Sequence, residues 1–136
     1  GGAEYYALQA AIAACHMRAR TAEETDWDRI VLLYDALMQI TPFPIVALNR
    51  AVAVGMAQGP AAGLAAVDAI ATHAADATLD RYHLLHSVRG DLLMKMGCFP
   101  EAREETQRAI ALTQNIREQE LLMARLKQMD ERGQER

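Results

Sequence analysis

The sequence predicts an all-α protein, a stack of antiparallel helical hairpins with about seven helices. Three observations lead there. Apolar residues recur at three- and four-residue steps along the chain, and no alternating strand pattern competes with them. Alanine is very abundant, and Ala, Leu, Met, Gln, Glu and Arg are good helix formers. Gly and Pro fall between the periodic segments, at Gly59-Pro60, Gly97 and Pro100, where helices end and begin. Aromatic residues are only 5% of the chain, so the core must be built from Ala, Leu, Val, Ile and Met. A chain of 136 residues fits one domain and buries roughly two thirds of its unfolded surface without staples.

The first helix is expected from about Glu4 to Arg20, with Tyr5, Leu8, Ile12 and Cys15 on one stripe. The polar segment Thr21 to Thr25 reads as a loop, after which Thr25 or Asp26 caps a second helix. Trp27, Ile30, Val31, Tyr34, Leu37 and Met38 form its inner face. Pro42 and Pro44 end it and start the third, because proline is tolerated in the first helical turn. The third helix, Pro44 to Gln58, is apolar nearly all round and reads as central. After Gly59-Pro60, a fourth helix turns Leu64, Val67 and Ile70 inward, and Thr72 to Thr78 reads as a loop. A fifth helix runs from about Leu79 to Met96, Pro100 opens a sixth, and Asn115 caps a seventh with Glu118 at the capping-box position. Leu121, Leu122, Leu126 and Met129 form an apolar stripe on it that reads as core.

An internal repeat orders these helices. Gly90, Gly97, Ala102 and Ala109 carry the spacing of a tetratricopeptide unit: a small residue in the first helix, a glycine at the turn, small residues in the second. The cause is steric, since hairpin helices pack closely only where side chains are small. Ala51, Gly63 and Ile70 precede Gly90, Ala102 and Ala109 by 39 residues each. The excess over the usual repeat of about 34 falls in the loop after Thr72. Ala36 lies 34 residues before Ile70 and marks a third, partial copy. Such units bury their faces only against neighbours, so three hairpins and a closing helix make a stable block.

Charge and composition exclude several functions. The formal net charge is −4, and seven basic residues stand against eight acidic ones after Pro100. That balance reads as solvated helix faces and argues against binding to a phosphate backbone. Cys15 and Cys98 have no metal-like spacing and fit a reduced, cytoplasmic chain. No basic segment followed by an apolar run opens the chain, and the longest apolar stretch, Ile45 to Ala57, is broken by Asn49 and Arg50, so neither a signal peptide nor a membrane span is read. The abrupt helical start reads as a piece of a longer protein.

Catalytic signals are poor. His83 and His86 share a helix face but have no third ligand at a recognised spacing on it. Cys15 and His16 are helix neighbours and point about 100° apart, so they make no dyad. No catalytic, metal or cofactor site is read. More is carried by the polar residues that interrupt the apolar helices: Asn49 and Arg50 in the third, Arg89 and Asp91 in the fifth, with Arg50 and Arg89 again 39 apart. An arginine in a core needs a partner. One reading is an internal network of Arg50 or Arg89 with Asp35, Asp68 or Asp91. The other is that Asn49, Arg50, Arg89 and Asp91 line a concave groove and meet a partner's acidic group. Val52 and Asp91 stand where carboxylate-clamping tetratricopeptide domains carry asparagine, which argues against that clamp.

Several strings occur in a telling order: Ala7-Leu8-Gln9-Ala10-Ala11-Ile12; Thr25-Asp26-Trp27 leading to Leu33-Tyr34-Asp35-Ala36-Leu37; Pro44-Ile45-Val46-Ala47-Leu48-Asn49-Arg50-Ala51-Val52-Ala53-Val54; Gly59-Pro60-Ala61-Ala62-Gly63-Leu64; Tyr82-His83-Leu84-Leu85-His86. Over essentially the whole chain they resemble the tetratricopeptide-like C-terminal extension of a group of extracytoplasmic-function sigma factors. The resemblance implies a regulatory module of bacterial transcription initiation, which controls its sigma factor in place of a separate membrane-bound anti-sigma factor. It implies two upstream domains, absent here, that contact promoter DNA and polymerase. The implied partners are those sigma domains, RNA polymerase or another regulatory protein. The alternative is a free-standing tetratricopeptide adaptor, and an upstream sigma region in the full-length gene would decide between the two.

Overall fold

A computed structural model of the chain describes residues 2–19, 22–73 and 82–134. Seven α-helices occur among them: α1 (Gly2–Arg18), α2 (Trp27–Ile40), α3 (Pro44–Gln58), α4 (Pro60–His73), α5 (His83–Lys95), α6 (Phe99–Leu112) and α7 (Ile116–Gln134). A single 3-10 turn at Ala22–Glu24 precedes α2, and no strand occurs among the described residues. The all-α expectation holds. None of the helices is long and apolar enough to cross a membrane, among the described residues.

The helix ends follow local chemistry. Asp26 accepts from the Arg29 amide and caps α2, while prolines stand in the first turns of α3 and α6. The end of α5 is a Schellman turn: the Gly97 amide donates to Met94 O and the Cys98 amide to Leu93 O, with Gly97 at φ +80°. Only glycine adopts that backbone without a Cβ penalty. Two boundaries differ from expectation. α4 includes Thr72 and His73, where the loop was expected to begin, and positions 74–78 lie outside the described residues. α5 starts at His83, because Tyr82 is extended (φ −87°, ψ 107°); Leu79 lies outside the described residues.

Contacts gather into two compact units, Gly1–Ala66 and Val67–Arg136. In the first, α1 packs on α2 and α2 on α3. Ile12 and Cys15 of α1, Ile30, Val31 and Leu37 of α2, and Val46, Ala53 and Val54 of α3 form its core, with Trp27, Tyr34 and Met38 packed against it. Fully buried Ile30 and Leu37 each contribute on the order of 2 kcal/mol through burial. The inner face predicted for the second helix is the observed one. The third helix corrects the prediction: it is not buried all round, because Ile45, Val52 and Met56 are exposed.

In the second unit, α5 and α6 form the tightest hairpin, and α7 packs on α6. Gly90 is the reason. A Cβ built there would meet Thr106 Oγ1 at 2.7 Å and Ala102 O at 3.3 Å. Ala102, Thr106 and Ala109 are fully buried on the facing side. The small-residue register read from the repeat is therefore a real close approach. On α7, Leu122 and Met129 are buried and Leu126 half-buried, but Leu121 is 65% exposed. Leu122, Leu126 and Met129 lie at i, i+4 and i+7, and Leu121 falls off that stripe.

Candidate functional site

The exposed face of α3 is the first candidate. Ile45, Asn49, Val52 and Met56 follow at i, i+4, i+7 and i+11, and all four are exposed. They share one side of the helix because Val46, Ala53 and Val54 take the other into the core. Phe43, just before the helix, is 63% exposed. Together they make an exposed apolar stripe interrupted by one amide. The apolar run Ile45 to Val54 signalled a buried helix in the sequence, and that signal concealed the stripe: periodicity cannot tell a covered apolar face from an uncovered one.

Next to the stripe, Arg50 Nε donates to Asp35 Oδ1 at 2.5 Å, joining α3 to α2. In the second unit, Arg89 Nη2 meets Asp68 Oδ1 at 2.9 Å, joining α5 to α4. The pairs repeat one device: an aspartate on one helix holds an arginine at the repeat-equivalent place of the next. Asp91 pairs with Lys95 on its own helix at 3.1 Å. Asn49 and Arg50 thus belong to the first unit, and Arg89 and Asp91 to the second. The premise of core arginines is corrected, since the Arg50 and Arg89 side chains are 36% and 34% exposed. Pairs this open contribute about 0–1 kcal/mol. They orient guanidinium groups at the surface more than they hold the fold. Tyr34, on α2 with Asp35, has its hydroxyl pKa raised by burial and stays neutral.

Each of the two histidines of α5 faces a glutamate from another helix. His86, 3% exposed, sets Nδ1 2.6 Å from Glu105 Oε2 on α6. His83 sets Nε2 3.1 Å from Glu118 Oε2 on α7. Each has its own glutamate, and no group of three or more metal-binding side chains occurs among the described residues. The glutamates come from other helices, so nothing in the spacing on α5 announces them.

Glu118 also corrects the capping box. Its amide does accept the expected cap, donating to Asn115 Oδ1 at 3.1 Å. Its carboxylate, however, receives the Thr113 hydroxyl at 2.7 Å, and Thr113 Oγ1 in turn accepts from the Asn115 amide. The Thr113 hydrogen bond lowers the Glu118 pKa most, burial opposes it, and His83 adds a further lowering. A carboxyl with a depressed folded-state pKa contributes stability above its unfolded value and loses it as pH falls through the folded one. Glu118→Gln should therefore flatten the acid limb of stability below the ordinary glutamate range and leave the neutral limb's shape unchanged. Urea midpoints measured across pH check this; an acid limb as steep as wild type would refute it.

No family model matches the sequence, and no solved structure matches it. The chain is 48% identical over 113 residues, 83% of its length, to an uncharacterized protein of Rhizobium meliloti (strain 1021). That segment is 26% of the relative's length, so the chain spans about a quarter of the curated relative it matches.

Proposed function

We propose that this chain is the tetratricopeptide-like C-terminal extension of a bacterial extracytoplasmic-function sigma factor, and that it regulates promoter-specific transcription initiation by binding protein in the cytoplasm. The observation that carries the binding role is the exposed stripe Ile45, Asn49, Val52 and Met56 on α3. Exposed apolar side chains in this arrangement are costly in water unless a partner covers them. The Arg50–Asp35 pair beside it offers the edge a charge and sets its orientation. The ordered strings from Ala7 to His86 carry the sigma-factor reading. The relative supports a larger architecture, because most of its length lies outside the matched segment. Contacts with DNA belong to upstream domains, since this chain carries a net charge of −4. The partners are the protein's own sigma domains, RNA polymerase or another regulatory protein, and the chain itself performs no catalysis.

The test is promoter-specific transcription in vitro with the full-length protein, the same protein lacking this region, and Val52→Asp. Val52 is on the surface, so the substitution leaves the helical melt unchanged. It places an unpaired charge in the covered face and weakens the contact roughly tenfold or more. Deletion is expected to change transcript yield, and Val52→Asp to reproduce that change. Unaltered transcription after deletion would refute the regulatory reading, while a deletion effect that Val52→Asp fails to reproduce would move the contact off α3.

A further inference from the structure

We propose that α7 is a self-association helix, which pairs antiparallel with α7 of a second copy of this chain across a two-fold axis at Ala124. The contacts of α7 within the chain use one side: Leu122 and Met129 are buried, Arg125 Nη1 reaches Ser87 O, and Asp130 meets Arg103. The other side is open. Arg117, Glu120, Leu121, Ala124, Lys127, Gln128 and Glu131 are all exposed and follow at steps of three and four. They share one side of the helix, with Leu121 and Ala124 flanked by charged and polar residues. Leu121, 65% exposed, is the large apolar side chain on it, with Met123 (53%) and Ile116 (71%) toward one edge of the face. The closing helix of a repeat array ordinarily shows a polar outer face to water. This one does not.

The charges choose the occupant and its direction. At about 1.5 Å of rise per residue, Arg117 and Glu131 lie about 10 Å to either side of Ala124. Turning a second α7 end for end places Arg117 against the partner's Glu131, and the same for the reverse pair. Glu120 then falls opposite the partner's Lys127 and Gln128. A parallel pair would instead set Glu120 against Glu120 and Lys127 against Lys127. Opposite charges steer the antiparallel arrangement and like charges reject the parallel one. Ala124 at the axis has only a methyl group, so the helices can approach at the short end of the usual 8–10 Å. Leu121 from each copy packs beside it. One helix pair is a small interface, so the dimer is weak and depends on concentration.

Sedimentation equilibrium on the chain tests this. Wild type is expected to show a monomer–dimer equilibrium in the micromolar range, and Leu121→Asp to remain monomeric. Glu120→Lys alone and Lys127→Glu alone each place like charges across the axis and should weaken dimerisation roughly tenfold. Mixed one to one, the two variants restore both opposite-charge contacts and should form a heterodimer as tight as wild type. The three substituted side chains are exposed, and circular dichroism melts check that each variant stays helical. A wild-type chain that stays monomeric at several hundred micromolar, a dimer indifferent to Leu121→Asp, or a mixture that gives no heterodimer overturns the proposal. In the first case the face is left to a different protein.

Discussion

Gly90→Leu should lower the thermal midpoint on the order of 10 °C. The side chain has nowhere to go, because even a bare Cβ would stand 2.7 Å from Thr106 Oγ1. Thr106 cannot turn aside cheaply. It is fully buried, its hydroxyl donates to Ala102 O at 2.8 Å, and it touches Met129 Sδ at 3.9 Å. The α5–α6 hairpin must open instead. Overpacking of this kind costs about 1–3 kcal/mol, and each kcal/mol moves the midpoint of a domain this size by roughly 3–5 °C. Gly90→Ala should show a smaller form of the same loss, and adding Thr106→Ala should recover part of it, because neighbours in contact do not add. An unchanged midpoint in Gly90→Leu would remove the basis of the repeat register.

Glu105→Ala is expected to cost about 2 kcal/mol, read as a fall in the urea midpoint with an unchanged slope. Glu105 is 12% exposed and holds His86, itself 3% exposed, at 2.6 Å. Deleting the carboxylate removes a buried, charge-assisted hydrogen bond between α5 and α6. The weaker Arg108 contact, at 3.8 Å and 60% exposed on the arginine side, adds little. Replacing both His86 and Glu105 by leucine should cost less than Glu105→Ala alone, since no polar group then remains to be satisfied. A single variant as stable as wild type would show that the pair is structurally idle.

The sequence is informative where one residue's size or backbone decides the structure. Gly90 had to be small, Gly97 had to turn, and Pro44 and Pro60 had to start helices, so the hairpins could be read from local chemistry. The inner face of α2 followed from its period alone. What could not be read is which apolar faces stay uncovered. Ile45, Val52 and Met56 look the same in sequence as Val46, Ala53 and Val54, and only the packing of α2 tells them apart. Leu121 reads as core for the same reason, one residue from the stripe that is. For the polar residues, Asp35 and Asp68 were foreseen among the partners of the arginines, because opposite charges one helix apart are few. Glu105 and Glu118 were missed because their place beside the histidines depends on how α6 and α7 lie against α5. Both overlooked surfaces are thus consequences of tertiary covering, not of local propensity.

The packing of helices on their neighbours in sequence also governs how the chain reaches and leaves its folded state. α2 turns onto α3 within Thr41–Phe43, α5 onto α6 within Met96–Cys98, and α6 onto α7 within Thr113–Asn115. Closing loops this short sacrifices little chain entropy, so each hairpin can form before distant segments meet, and folding is fast for the chain's length. The same locality lets one hairpin open while another stays shut. Amide exchange then proceeds in hairpin-sized steps, with the α5–α6 hairpin, closely packed at Gly90, the last to release its protons. A protein made this way gives up its structure piece by piece, and its ends can yield to a partner without the middle coming undone.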